Sequence, residues 1–411
     1  TSSSSSLENL IVPGGVQVRS GDNQEAEGEA GIRYTRSLSS GHQIELVGFQ
    51  SFEQDDGAST FNTPDLASTS DSEALSGESI VRATIKAPSD GDWSFDGGGE
   101  AVYNFSDSSR TRSLDGLPFE LEGDESRIEE LRGEAFGSAT WAPSDTLSLE
   151  SALRYEWSRI DATVGANISE KQLDFLKPRL NVSWAPDEGQ QWGFQIERVV
   201  EQLDFGAFAS SAEFDDAIFG VGNAEIEPQK LWVADARYER QFGGQNSLAI
   251  GLVHTRIEDF LGRTVVILPP SSPGDPPDVF EIDRNLGEAT RDALEVDATM
   301  ELDRIGMEGG IFSLGVDLRD SSVADPVTGE ERVLSGQDEW AWNASLQQTL
   351  ADGNFRWSIS MNDNADTLSW SRGSVENGQG GPFLGANVSW KPSPGWTLGA
   401  SVNNIVAGYR P

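Results

Sequence analysis

The sequence predicts an all-β protein, a transmembrane antiparallel up-and-down β-barrel. Three observations predict it. Apolar and polar residues alternate strictly in many segments. Short and long connections alternate along the chain. Tryptophan and other large apolar residues flank the short connections.

The alternation is clearest over 147–157, where Leu147, Leu149, Leu153, Tyr155 and Trp157 are interleaved with Ser148, Glu150, Ala152, Arg154 and Glu156. Side chains along a strand point to opposite faces, so this run has one apolar and one polar face. Its length suits a tilted strand crossing a bilayer. Trp232 to Tyr238, Leu294 to Leu302, Phe312 to Leu318 and Phe355 to Met361 repeat the pattern. Helical i, i+3, i+4 stripes are scarce.

Three short turns are sharply marked. They are Trp141-Ala142-Pro143-Ser144-Asp145-Thr146-Leu147, the segment from Trp184 through Pro186 and Gly189 to Trp192, and Trp390-Lys391-Pro392-Ser393-Pro394-Gly395-Trp396. Looser versions lie at 36–44, 85–93, 242–248, 302–311 and 350–355. Pro, Gly, Asp and Ser are what tight turns require. Long polar connections are expected near 52–78, 105–126, 158–175, 200–229, 258–292, 319–338 and 362–381. One contains Pro269, Pro270, Pro273, Pro276 and Pro277, which no sheet interior accommodates. Short turns at one rim and long loops at the other mark a membrane barrel.

Eight short turns imply about 16 strands, and Val16–Ser20 is expected to add a seventeenth. About 16–18 strands are therefore expected within 1–411. Single-chain outer-membrane barrels have even strand numbers, so at least one strand is expected to be missing. The chain stops after an outgoing strand, at Tyr409-Arg410-Pro411, and a barrel fragment is expected.

Composition fits this reading. The 29 Lys and Arg against 68 Asp and Glu give a net charge of −39, too acidic for a phosphate-backbone binder. No basic cluster is visible along the sequence, and no nucleic-acid partner is expected. There are no cysteines, which excludes disulfides, thiolate metal sites and thiol nucleophiles. His42 and His254 are the only histidines, too few for a histidine metal site. Hydrophobic content of 36% with such a charge would suggest disorder, but 12 Trp and 19 Phe argue for an ordered chain. A barrel resolves the tension, because only alternate residues need to face lipid. No apolar run is long enough for a transmembrane helix. Thr1 to Ser6 has neither the basic nor the apolar region of a signal peptide.

A soluble sandwich or propeller also alternates. Against it stand the long strands, the regular rhythm of the turns, and Trp at strand ends, where a bilayer interface favours it.

Several segments resemble TonB-dependent receptors of Gram-negative outer membranes. Phe175-Leu176-Lys177-Pro178-Arg179-Leu180-Asn181-Val182-Ser183-Trp184 is similar to the family's "P-R-L-N-hydrophobic-S-W" strand. Trp192 to Arg198 resembles the next strand. Gly222 to Lys230 resembles the "N-P-x-L-x-P-E-x" segment, with Ala224 in place of Pro and Gln229 in place of Glu. Val402-Asn403-Asn404-Ile405 resembles "V-x-N-L-F-D". Val199 to Phe205 departs from the family's Arg/Pro-rich stretch. The match is most direct over 171–241 and 383–408.

The resemblance implies that 1–411 is a partial barrel domain, part of a barrel of about 22 strands. No plug domain is expected in this chain. The implied function is uptake of a scarce nutrient, such as a ferric siderophore, a cobalamin-like compound or an oligosaccharide. Implied partners are outer-membrane lipid and lipopolysaccharide, a small-molecule ligand, and the TonB complex acting through a plug outside this chain. A monomer in the outer membrane is expected. A passive porin-like channel and a soluble adhesin or binding module are the competing readings.

Site chemistry is sparse. Asp204, Glu213, Asp215 and Asp216 offer oxygen ligands for Ca²⁺, but a solvated acidic loop accounts for them better. Glu129-Glu130 is a carboxylate pair expected by chance among 68 acids. His254 reads as a rim or lumen residue. Serines are plentiful, but no G-x-S-x-G elbow exists. Phe205, Phe208, Phe214, Phe219 and Phe260 could grip a ligand or pack loops together. Asn181 and Asn387 lie within strands and are poor glycosylation acceptors. No catalytic, cofactor or metal residue is assigned, and no enzyme activity is expected.

Overall fold

The computed structural model describes residues 2–404 apart from 13–14, 65, 90, 119, 122–123, 203–204, 206–210, 214–217, 222, 224, 269–277 and 371–374. A single sheet of nineteen strands dominates it. Two of these are two-residue stubs at 117–118 and 331–332. The other seventeen are β1 (Ser2–Val12), β2 (Gly15–Ser37), β3 (Gln43–Asn62), β4 (Ala67–Lys86), β5 (Trp93–Leu114), β6 (Glu125–Ser144), β7 (Leu147–Val164), β8 (Asn167–Trp184), β9 (Gln190–Val200), β10 (Lys230–Gln241), β11 (Ser247–Glu258), β12 (Ala289–Glu301), β13 (Gly310–Ala324), β14 (Trp340–Leu350), β15 (Phe355–Asn364), β16 (Phe383–Ser393) and β17 (Trp396–Val402). Each pairs antiparallel with the next in sequence, which is the up-and-down order.

The eight short turns fall where the sequence places them. At Pro143 and Pro392 the missing N–H interrupts the ladder, and register shifts occur between Trp141 and Ser144 and between Trp390 and Ser393. Gly309, before β13, has φ +67°, and a Cβ there would lie 2.3 Å from the Thr349 carbonyl oxygen. Only glycine fits.

Two expectations need correction. Val16–Ser20 is not a separate strand but the start of β2, already counted as the partner of β3. The seventeenth strand is β1, paired in register from Ser2↔Glu25 to Val12↔Gly15. Its serine run carries no apolar alternation, so periodicity does not reveal it. Secondly, 52–78, 105–126 and 158–175 are mostly strand. β3 and β4 continue to Asn62 and from Ala67, β5 runs to Leu114, and β7 and β8 meet across Gly165 and Ala166. The first two look like loops because both faces are largely polar, and 158–175 because its apolar Ile160, Ala162 and Val164 lie on the opposite face from Leu153 and Tyr155. A β-ladder satisfies its own backbone and needs no apolar face.

The remaining long connections are folded loops. Strands Ser211–Glu213, Ile218–Val221, Leu261–Leu268 and Asp278–Asn285 form a four-stranded sheet from two of them. Thr367–Trp370 pairs with Val375–Gly378.

The wall has an inner face, on which the 200–229 loop packs through Ile226, and an outer face opposite. The outer face is apolar from the short turns upward. On β5 it shows Trp93, Phe95, Ala101, Tyr103 and Phe105. On β7 it shows Leu149, Leu153, Tyr155 and Trp157, and on β8 Leu180 and Leu176. Phe194, Leu252, Leu318, Ile359 and Leu398 continue the band, and all five are exposed or half-exposed.

Aromatic residues edge this band. Trp93 stacks on Phe95 and on Trp141, each at 5.9 Å, and Trp192 lies 4.4 Å from Tyr238, all beside short turns. At the other edge Phe52 lies 6.3 Å from Phe105. Trp93 to Phe105 spans about 40 Å of strand at ~3.3 Å per residue. At a tilt of about 40° that projects to about 30 Å, enough for an apolar band of about 25 Å with aromatic girdles. Beyond the edge the outer face becomes ionic. Arg127 pairs with Asp107 at 3.4 Å and Glu129 at 3.2 Å, and Arg159 pairs with Asp161 at 3.1 Å and Glu170 at 3.4 Å.

The inner face inverts this order. Beside the apolar band it is charged. Beyond the band it turns apolar on β6 and β7, with Ile128, Ile160, Ala162 and Val164 buried.

Candidate ligand vestibule

The inner wall at band level is an ion-pair network on β4 to β8. Register sets Glu134 directly opposite Glu156, a like-charge pair that costs stability unless answered. Lys177 answers it, with Nζ 2.7 Å from Glu134 Oε2 and 2.7 Å from Glu156 Oε2. Arg154 adds a contact to Glu134 at 3.2 Å, and Arg82 pairs with Glu100 at 2.8 Å. Both arginines also lie over the Phe136 ring, at 5.7 and 5.5 Å. The buried Glu130 accepts hydrogen bonds from Asn104 Nδ2 (3.1 Å) and Ser158 Oγ (2.8 Å). This wall is polar and held in place by its own partners, as a wet lumen requires.

Above it, folded loops close in on the inner face. Ile226 inserts among Ile128, Ile160, Ala162 and Val164, with Phe205, Leu173 and Leu261 around them. Lys171 Nζ donates to the Ile226 carbonyl at 3.0 Å, and burial pushes its ammonium below the usual lysine range. Asn285 joins two loops. Its Nδ2 donates to the carbonyls of Glu227 (2.9 Å) and Asp259 (2.8 Å), and its Oδ1 accepts from the Glu227 N–H (2.9 Å). A second apolar cluster joins Ile257, Ala289, Val323 and Leu334 with Phe260.

A third tie involves Asp325. It accepts hydrogen bonds from the Thr328 and Val327 N–H groups, the Thr328 hydroxyl and Arg332 Nε, at 2.8 to 3.1 Å. The backbone donors, Thr328 first, hold its carboxyl below the ordinary aspartate value. Arg332 lies 5.0 Å over the Trp370 ring. The result is a vestibule with a tall wall on one side and packed loops on the other.

The candidate residues distribute as follows. Phe205 and Phe260 are packing residues in the two apolar clusters. Asp204, Asp215, Asp216, Phe208 and Phe214 lie outside the described residues. Glu213 and Phe219 fall on the loop strands Ser211–Glu213 and Ile218–Val221. Glu129 and Glu130 point to opposite faces of β6, so they form no acid/base pair. Glu129 accepts from Tyr103 Oη at 2.7 Å on the outer face. His254 is a rim residue at the upper edge of the outer band, its Nδ1 2.7 Å from Asp292 Oδ1. His42 sits in a short turn, 3.0 Å from Ser40 Oγ. Asn181 and Asn387 lie in β8 and β16. Among the described residues no group of three or more His, Asp or Glu is arranged to hold a metal ion.

One feature is invisible along the sequence. Arg19, Arg110 and Arg112, from β2 and β5, line one cavity on the inner face. Arg110 and Arg112 are next-but-one neighbours on β5, and the pairing of β2 through β5 brings Arg19 to the same cavity.

The family model for the TonB dependent receptor-like β-barrel matches residues 11–405. No curated protein matches the sequence. Among solved structures, the alcaligin outer-membrane receptor FauA of Bordetella pertussis superimposes with a TM-score of 0.56 at 11% identity, over 98% of this chain and 65% of that one. The ferric yersiniabactin uptake receptor FyuA of Yersinia pestis gives 0.62 at 11%, over 95% and 56%. The ferric citrate transporter FecA gives 0.67 at 12%, over 95% and 57%. The chain thus spans roughly three-fifths of the length of these relatives. At such identities the likeness is one of fold.

Proposed function

The chain belongs to the TonB-dependent receptor-like β-barrel family, and from that premise we propose that it is barrel wall of an outer-membrane receptor importing a scarce nutrient. Ferric siderophores, cobalamin-like compounds and oligosaccharides are the candidate cargo. The observation that carries the reading is the inversion of the two faces. On β6 to β8, beside the bilayer the apolar residues face out and the charges face in; above it the charges face out and apolar residues face in. The first arrangement suits lipid around a wet lumen. The second lets loops dock over the lumen mouth, where an external solute arrives.

In this reading residues 1–411 form one barrel domain acting as scaffold, lumen wall and vestibule. No bond is made or broken by its residues. The plug that closes the lumen, and the segment that engages TonB, belong to parts of the receptor outside this chain. The outer ionic rim around Arg127 and Arg159 faces lipopolysaccharide headgroups, and the receptor works as a monomer.

Uptake by whole cells carrying the full-length gene, with and without an intact TonB system, tests the proposal. Uptake that needs TonB is expected. Equal uptake in its absence would favour a passive channel and overturn the receptor reading.

A further inference from the structure

The cavity on the inner face of β1 to β5 lies above the lipid band, in the tall side of the vestibule, and has a volume of about 580 Å³. Register explains its make-up. Ser70 lies opposite Arg112 and Ser72 opposite Arg110, while Arg19 lies opposite Phe61 across β2 and β3. Arg110 and Arg112 therefore stand on one flank and Arg19 on the other. Between them β3 and β4 contribute a floor of glycine and serine. A Cβ on Gly57 would lie 2.8 Å from Ser72 Oγ and 2.9 Å from Asn23 Oδ1, so a larger residue there would displace these side chains. Three strand spacings separate β2 from β5, about 14 Å at ~4.8 Å each. Extended arginines reaching in from both flanks leave room for a group a few ångströms wide.

The arginines are positioned. Arg112 is buried and paired with Asp124, and Arg19 lies over the Phe61 ring at 5.7 Å. Burial, and then the neighbouring charge of Arg110, lower the Arg112 guanidinium to about 10, so it stays charged at neutral pH. Planar guanidinium forks with hydroxyls beside them match carboxylate and phosphate oxygens. The surroundings sharpen that preference. Further down the same inner face, Glu25 stands opposite Asp55 and Glu27 opposite Glu53. An anion is attracted at the mouth and repelled just below it. A neutral sugar is neither drawn in nor turned away by these net charges.

We infer that Arg19 and Arg110, backed by the buried Arg112–Asp124 pair, form an oxyanion subsite of the vestibule, which takes carboxylate or phosphate groups of a small-molecule ligand. The ligand's role as cargo rests on the receptor reading above; the binding itself does not.

The test is calorimetric titration of the full-length receptor in detergent with inorganic phosphate and with tricarballylate, a weakly chelating tricarboxylate. Maltotriose serves as the neutral control. At least one anion is expected to bind, more weakly as salt rises, and R19Q/R110Q is expected to lose tenfold or more in affinity. R19K/R110K is expected to keep part of it. Heat-dependent gel mobility reports whether each variant stays folded, and R110Q alone replaces a double variant that does not. Equal affinity of wild type and variant, or no binding of either anion to the wild type, would overturn the subsite. TonB-dependent uptake would stand unaffected by that result, which separates the two proposals.

Discussion

The two halves of the wall rise above the bilayer by different means. From β2 to β8 the strands are 18 to 23 residues long and the ladder simply continues past the lipid band. From β9 to β17 they are 7 to 15 residues long, and loops with short strands of their own stand in for the missing height. The ladder half satisfies its backbone wherever it goes, so its upper part tolerates serine-rich and acidic sequence. The loop half must find other partners. Its polar groups are tied by Asn285 and Asp325, and its apolar residues are buried in two clusters, one of them built on the ladder half. The loops are therefore the part that depends on particular side chains.

That contrast is open to attack from either side, and the largest effect is expected in the ladder half at band level. Lys177→Met leaves Glu134 and Glu156 facing each other, both nearly buried, with the half-exposed Arg154 still beside Glu134 and Glu156 without its lysine. Removing one partner of a buried ionic group costs about 3–5 kcal/mol. Urea unfolding of the receptor is expected to show a loss of that size, with most of it recovered in K177M/E156Q. A loss below about 1 kcal/mol, the usual worth of an exposed pair, would mean that water already answers the glutamates.

A smaller and local effect is expected where the halves meet. Ile226→Ala empties the slot among Ile128, Ile160 and Val164, at a cost of about 2–4 kcal/mol. The ladder beneath does not depend on it. Limited proteolysis is expected to cleave within 200–229 much faster than in the wild type. The hairpin tip at Gly165 and the heat-dependent gel mobility of the barrel are expected to stay unchanged. Cleavage at both places would show that the tall hairpins lean on the loops.

The ease of reading this molecule from its sequence follows the same division. The lipid-crossing segments are legible because one face meets lipid and the other water, which imposes a period of two on residues such as Leu149, Leu153 and Tyr155. The short turns are legible because Pro143, Gly189 and Gly395 announce them. Above the bilayer that solvent contrast fades, and Ser68 to Ser72 or Asp107 to Arg112 read as loop although they are strand. The apolar residues Ile128, Ile160 and Val164 occupy the register that carries charges lower down, so the pattern reverses within single strands. Cross-strand neighbours are the hardest to foresee. Arg19 and Arg110 face one cavity because β2 to β5 pair in one register, and nothing in either local sequence marks it.

The Asp325 turn gives the finest test of the loop half. Asp325 gathers Val327, Thr328 and Arg332 into one turn, and Arg332 in turn covers Trp370. Its folded carboxyl titrates below the usual value, because backbone donors favour the ionised form. A depressed folded value contributes stability that is fully present above the unfolded pKa of about 3.9 and disappears as pH falls through the folded one. Acidification below about pH 4 is therefore expected to loosen this turn and change the fluorescence of Trp370, while neutral and mildly alkaline solutions leave it in place. Asp325→Asn is expected to weaken the turn by about 1–2 kcal/mol at neutral pH and to abolish the acid step. If the acid step persists in the Asn variant, other carboxylates hold the loop, and this half would be fastened by a spread of acids rather than by single side chains.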